Sequence, residues 1–258
     1  MIELDVCIST YGPQGICRLT ADRYPPCPGV RYVVSWQNCG EPLPPGIARP
    51  DMEVYTLEGR GLSRNRNNAV AHARAPLVLT ADDDVTYTPA RLWSVIDAFA
   101  ARPGMQWAVF RYDGACAGKY FPDREFDLSQ RVPGFEPSSI QMAFTLDAAR
   151  QLPYDERFGL GSGCYHCGED SLVAHRAVRM GLPGRYIPLD VATHRGEPTG
   201  LRRIDDVRVL RGMGAVIAIK WPWTAPLRVP LKAWRMWRSG QAPFLTALRH
   251  LTAGAFRR

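Results

Sequence analysis

Three carboxylates in a row, Asp82, Asp83 and Asp84, close a short apolar run, Leu77-Val78-Leu79-Thr80. Adjacent carboxylates repel one another, and a bound cation is the usual reason that such a cluster is stable. Hard oxygen ligands point to Mg²⁺ or Mn²⁺ rather than to zinc. A solvated acidic turn ahead of a helix starting near Pro89 would use the same residues, so the motif needs its context. A second candidate lies downstream. Gly159, Gly161, Gly163 and Gly168 let the backbone approach a ligand closely, and Glu169-Asp170 follow at the mouth of a helix. One of these carboxylates could be a general base that takes a proton from an attacking hydroxyl. Complementing the helix dipole is the plain structural alternative. His194 closes the last expected strand, where it could ligate the cation or simply meet water. Cys164, His166 and Cys167 have the spacing of half a zinc site, but no second half is evident.

Strands and helices must bring these groups together. Strands are expected at residues 4–9, 30–36, 52–57, 77–80, 105–112, 138–145 and 185–193, from apolar runs bounded by turn residues. Helices are expected at 16–21, from Leu62 to the segment stopped by Pro76, at 89–101 with Thr88 as its cap, at 146–151 and at 171–180. Residues 113–137 read as a long loop. Alternating strands and helices predict an α/β fold with a mostly parallel sheet flanked by helices. Ligands bind such sheets at the carboxyl ends of the strands. Thr10-Tyr11, Gln37-Asn38 and the three Asp residues all fall there.

The chain has 258 residues, 46% hydrophobic and 22% charged, which suits an ordinary globular protein of one large domain with an appendage. Its start, MIELDVCIST, reads as a strand rather than a signal peptide, so a cytoplasmic protein with reduced thiols is expected from the seven scattered cysteines. No apolar run reaches the length of about 20 residues that spans a bilayer. Charge is unevenly placed. Residues 201–258 hold 12 Lys and Arg against Asp205 and Asp206, a net of +10 in a chain of net +7. Such a tail suggests an acidic partner.

Taken in order, strand-TY, GLSRNRNNA, the buried strand into DDD, SSI, YDERFGLGS, GED and a strand ending in His resemble the family 2 glycosyltransferases of the GT-A fold. The resemblance covers roughly residues 3–195 and is strongest to bacterial members that build surface polysaccharides. The GED also resembles that of the β-1,4-galactosyltransferases. The resemblance implies a Rossmann-like GT-A domain at 1–199; residues 200–258 fall outside it and read, from their charge and spacing, as a C-terminal basic helical extension. The resemblance further implies an inverting, divalent-metal-dependent enzyme. The donor would be a nucleotide-diphosphate sugar, UDP-linked in the first instance, and the acceptor a glycan or lipid-linked saccharide. By the same resemblance Asp84, with Asp82, would hold Mn²⁺ or Mg²⁺, and His194 matches a position that ligates the metal in some GT-A enzymes. Thr10, Tyr11, Arg66, Asn67, Asp82 and Asp83 would border the nucleotide sugar. Asp170 matches the catalytic base, and Glu169 would engage acceptor or donor sugar. This chain departs from the family after its second strand, where an Asp that reads uracil is replaced by SWQNCGE; Gln37 or Asn38 could hydrogen-bond a base instead.

Two other readings use the same fold. A sugar nucleotidyltransferase would want a Gly-rich, basic loop after strand one, where this chain has TYGPQG. A membrane-associated scaffold would not need Asp82 to Asp84 and Asp170. In the tail, Leu201, Ile204, Val207, Leu210, Met213 and Ile217 recur at helical spacing, and Pro222, Pro226 and Pro230 are expected to break the chain. Beyond them, Trp234 and Trp237 stand among Lys232, Arg235 and Arg238, the pattern of a helix lying peripherally on an anionic membrane surface. No nucleic-acid motif is present.

Overall fold

The computed structural model describes residues 1–114, 119–194 and 206–256. In chain order the elements begin with β1 (Leu4–Tyr11), α1 (Gly12–Ile16), β2 (Val30–Gln37), β3 (Met52–Thr56), α2 (Leu62–Ala71), β4 (Leu77–Asp82) and β5 (Val85–Thr86). Next come α3 (Pro89–Ala100), β6 (Trp107–Gly114), β7 (Phe126–Asp127), β8 (Met142–Thr145), α4 (Leu146–Gln151), α5 (Glu169–Arg179) and β9 (Gly184–His194). Three helices end the chain: α6 (Val207–Lys220), α7 (Ala225–Arg238) and α8 (Phe244–Ala255).

Apolar runs make the middle of the sheet. β2 is buried along its whole length and β1 up to its last residue, as parallel strands covered on both faces must be. Among the described residues the order is β3-β2-β1-β4-β8-β6-β9-β5, with β7 on β9. β1 to β4 run parallel, β8 enters antiparallel between β4 and β6, and β6 and β9 are parallel again. One face packs on α3 through Leu92, Val95 and Phe99. The other packs on α2, α4 and α5 through residues such as Ala69, Ala148 and Val173. The Thr88 side chain caps α3 by accepting from Arg91 N, a contact worth about 1 kcal/mol.

Several expected elements shift. The first helix lies one turn early, at α1, where Pro13 suits an opening turn. The strand expected at 138–145 begins as a 3₁₀ turn, Ser139–Gln141, before β8. The 113–137 loop contains β7. The expected helix at 171–180 starts earlier, so Glu169 and Asp170 form its first turn.

The tail departs most. Leu201 and Ile204 lie outside the described residues, and the helical pattern runs on through α6. Pro226 and Pro230 do not break the chain, because both lie within α7. Pro226 is in the first turn, where its missing N–H has no helical partner in any case. Pro230 forfeits an interior bond, offset by burial of Val229, Ala233 and Met236 against α6 and α8. α6 and α8 cross backbone to backbone: a Cβ at Gly214 would overlap the Leu251 carbonyl oxygen, and one at Gly254 that of Arg211. α6 also bears on the turn before α5, where Gly168 sits at φ +103° against Val216. No described helix is long and apolar enough to cross a membrane.

Candidate active site

Parallel pairing of β1 with β2 and β4 lines up Thr10, Tyr11, Gln37 and Asp82 on one edge of the sheet. The chain then turns through Asp83 and Asp84 into β5, where Val85 pairs with His194. That short antiparallel pairing delivers the end of β9 to the acidic turn: His194 Nε2 lies 3.3 Å from Asp84 Oδ2.

Each of the three acids has its own partner. Asp83 accepts from Thr10 Oγ1 at 2.6 Å and from Arg18 Nη1 at 2.8 Å. Asp82 accepts from Arg66 Nη2 at 3.0 Å. Burial nonetheless pushes the Asp82 and Asp83 carboxyls up from their ordinary value. Burial also acts to raise Asp84, but the His194 hydrogen bond and charge outweigh it and hold Asp84 low. Arg18, Arg66 and His194 thus set side chains of the protein itself against the mutual repulsion of the three acids.

Arg66 is the centre of the site. It is buried on α2, and its Nη1 donates to Asp170 Oδ1 at 2.8 Å and to Glu169 Oε1 at 3.2 Å. Its Nη2 reaches Asp82 and the Ser139 hydroxyl, the latter at 2.6 Å. The guanidinium thus joins the acids of β4 to those of α5. The 3₁₀ turn adds Ser139 N–H, which donates to Asp170 Oδ2 at 2.9 Å. Burial first, then the charge of Asp170, raises Glu169 to about 7. Its Oε2 is buried without a hydrogen-bond partner among the described residues.

Two cavities meet over these residues. One, of about 580 Å³, is lined by Thr10, Tyr11, Gln37, Arg60, Asp83 and Arg208. The other, of about 360 Å³, is lined by Arg66, Lys119, Ser139, Glu169, Asp170 and His194. Asp82, Asp84 and His166 line both. Tyr11 is exposed, with the Arg60 guanidinium 5.0 Å from its ring centroid, a flat surface on which a base could stack. Gln37 donates to Gly61 O at 3.3 Å.

Two expected residues line neither cavity. Asn38 turns onto its own loop and donates to Glu41 O. Asn67 donates to Tyr154 O and accepts from Tyr154 N, so it fixes the segment before the Gly-rich run. Arg66 is likewise an internal bridge between acids rather than a residue beside the nucleotide alone. His166 was not anticipated here. Its Nδ1 lies 2.8 Å from the Asp206 carboxylate, and its Nε2 is buried without a partner among the described residues. Cys167 Sγ donates to Val209 O at 3.3 Å. The six described cysteines are free thiols, and Cys116 lies outside the described residues. His166 could have been found only through Asp206, 40 residues away.

A metal ion needs ligands that converge. Among the described residues no three His, Cys, Asp or Glu side chains are placed as a ready metal site. Asp82 and Asp83 are turned to Arg66 and to Thr10 with Arg18. Asp84 and His194 do stand together on the wall of the cleft, and Asp84 Oδ1 is a buried acceptor with no hydrogen-bond partner among the described residues. A carboxylate oxygen and an imidazole nitrogen fit a divalent cation whose remaining ligands are phosphate and water oxygens.

Residues 44–164 match the model of glycosyl transferase family 2. The match includes the three Asp residues and stops before Glu169, Asp170 and His194. The structure of S. aureus TarS in complex with UDP superposes with a TM-score of 0.59 at 18% identity, over 84% of this chain and 66% of that one. TarS with UDP-GlcNAc gives 0.54 at 14% identity, over 98% and 84%. The mannosyltransferase PcManGT from Pyrobaculum calidifontis, in complex with GDP-Man and Mn²⁺, gives 0.59 at 14% identity, over 99% and 88%. The fold is therefore GT-A, an α/β fold with a mostly parallel central sheet flanked by helices. No curated protein matches the chain by sequence.

Proposed function

We propose that this protein transfers a glycosyl group, with inversion, from a nucleotide-diphosphate sugar to a hydroxyl of a glycan or lipid-linked acceptor in surface-polysaccharide synthesis. The observation that carries the reading is the Arg66 bridge, which sets the acids of β4 and α5 at the junction of two cavities. The larger cavity takes the nucleotide, a UDP group in the first instance, with the base against Tyr11 and Arg60. The smaller takes the sugar and the acceptor. TarS with UDP-GlcNAc and PcManGT with GDP-Man support a nucleotide-sugar donor.

Asp170 is the general base. It takes the proton from the acceptor hydroxyl, whose oxygen attacks the anomeric carbon from the face opposite the phosphate. The bond to the phosphate oxygen breaks, and the nucleoside diphosphate leaves with that electron pair. Arg66 and Ser139 N–H hold Asp170 oriented throughout. Glu169, whose carboxyl burial and the charge of Asp170 raise to about 7, offers a hydrogen bond to a sugar oxygen in the same cavity when it holds its proton. Asp84 and His194 would hold Mn²⁺ or Mg²⁺, which supplies charge neutralisation to the departing diphosphate. The C-terminal helices bring the site to an anionic membrane surface through Trp234 and Trp237, both exposed on α7.

The test is nucleoside diphosphate release from a panel of UDP-, GDP- and dTDP-sugars with Mn²⁺, alongside thermal shifts with the same donors. Wild type should turn over one nucleotide class. Asp170→Asn should lose roughly 10²–10⁴ in turnover while keeping the donor-induced shift. Absence of both a shift and turnover with every donor would overturn the reading.

A further inference from the structure

Behind the Glu169–Asp170 turn lies a further cavity of about 510 Å³, walled by α5, α6, α7 and Arg131 of the 113–137 segment. It shares Glu136, Cys167, Gly168 and Ser171 with the cavity that holds Asp170, so the two are adjoining compartments. Five cations line it, Arg131, Lys220, Arg228, Lys232 and Arg235, against the single carboxylate of Glu136. Glu136 is already engaged, by Lys220 Nζ at 3.3 Å and the Ser171 hydroxyl at 3.0 Å. Arg228 lies 4.6 Å from the centroid of the Trp221 ring and donates to the Thr224 hydroxyl. Of the five cations, Lys232 is also acted on by the charge of the Glu136 carboxylate, which burial and Arg235 outweigh. Burial, then the charge of Arg235, pushes the Lys232 ammonium below its ordinary value.

Like charges gathered on one wall repel, and an anion between them removes that cost. The rest of the wall is apolar: Met213, Val216, Ile217 and Leu231. Leu231 is also 44% exposed, so the apolar wall continues onto the outer face of α7. A cavity that is cationic and apolar at once, and opens beside the general base, suits an anion on an amphiphile better than a neutral sugar.

We propose that this cavity receives the phosphate or diphosphate of the acceptor, and that the acceptor is therefore a phosphate ester whose hydroxyl reaches Asp170 next door. This rests on the glycosyltransferase reading for the reaction, though the anion site itself does not. A lipid diphosphate and a water-soluble phosphorylated glycan present the same group to Lys232 and Arg235. They differ in whether an apolar chain follows it.

The experiment titrates the full chain with inorganic diphosphate, with decyl phosphate and with uncharged decyl maltoside by calorimetry, all with UDP and Mn²⁺ saturating the donor site. Wild type should bind the two phosphates and not the maltoside. Lys232→Gln/Arg235→Gln should weaken phosphate binding at least tenfold and leave UDP affinity unchanged. Arg131→Gln, on the 113–137 segment and outside the helical packing, should weaken it severalfold and so guards against misfolding of the double variant. Decyl phosphate binding much more tightly than diphosphate identifies a lipid-linked acceptor, and equal binding a soluble one. Wild-type affinity for both phosphates in the double variant and in Arg131→Gln, or no phosphate binding by wild type, would overturn the proposal. Failure of UDP alone to bind wild type would instead count against the glycosyltransferase reading, because phosphate binding is read separately.

Discussion

Arg66 Nη1 lies 2.8 Å from Asp170 Oδ1, and the two residues are 104 positions apart in the chain. One guanidinium therefore decides where the proposed base points, and it does so from the helix that precedes the acidic turn. The same group holds Asp82 and Glu169. Replacing Arg66 with Ala leaves three carboxylates facing one another in a buried centre. Removing one partner of a buried ionic cluster costs about 3–5 kcal/mol. Urea unfolding of Arg66→Ala should show a loss of that order, with turnover falling too. A loss under about 1 kcal/mol would mean that the three acids find other partners, and the bridge would not be central.

Glu169 gives a pH signature. Its carboxyl is raised to about 7 by burial and then by Asp170, so the folded protein keeps a proton that the unfolded chain releases near its ordinary value of 4.5. The stabilisation from that proton is full below the unfolded value and is lost as pH rises through 7. Glu169→Gln has no such titration. Relative to wild type it should therefore gain stability between pH 5 and pH 8, on the order of 1–3 kcal/mol. Unfolding midpoints at the two pH values measure it. Parallel pH profiles for the two proteins would contradict the raised carboxyl.

The metal reading turns on two side chains. With UDP and Mn²⁺ at about 100 times their dissociation constants, wild type should gain about 2.7 kcal/mol of stability. Asp84→Ala and His194→Ala should each lose the Mn²⁺-dependent part and keep any metal-independent part. An undiminished Mn²⁺ effect in both variants would move the cation elsewhere.

Membrane contact is read from α7. Trp234 and Trp237 are 42% and 55% exposed, and Arg238 lies over the Trp234 ring at 5.3 Å. Trp234→Ala/Trp237→Ala should reduce co-sedimentation with phosphatidylglycerol vesicles severalfold and barely change the melting temperature. Wild-type binding should weaken as salt rises, because part of it is attraction between surface charges. Equal binding to phosphatidylcholine vesicles, or no effect of the substitutions, would sink this role for α7.

Much of the sheet was legible because its signals are local. LDVCIS and VRYVVSW are apolar runs that fit only buried strands, and Thr88-Pro89 carries its own cap and first turn. The acids of the site were legible for the same reason, since they are consecutive in the chain. Their partners were not. Asp82 meets Arg66, Asp83 meets Arg18 and Thr10, and Asp170 meets Ser139, all through contacts that exist only once the sheet is assembled. Asn67 follows Arg66 directly, yet it points to Tyr154, because adjacent helical residues face different directions. In the tail, Pro230 was a misleading signal: a local rule against helix was overridden by burial of its neighbours on α6 and α8.

The glycine crossing of α6 and α8 has a mechanical consequence. With Gly214 against Leu251 and Gly254 against Arg211, neither helix can slide along the other without steric collision. α6 in turn abuts the turn at Gly168, one residue before Glu169. A bulkier side chain at Gly214 or Gly254 would therefore push α6 and α8 apart, and the displacement of α6 would reach the turn that opens α5.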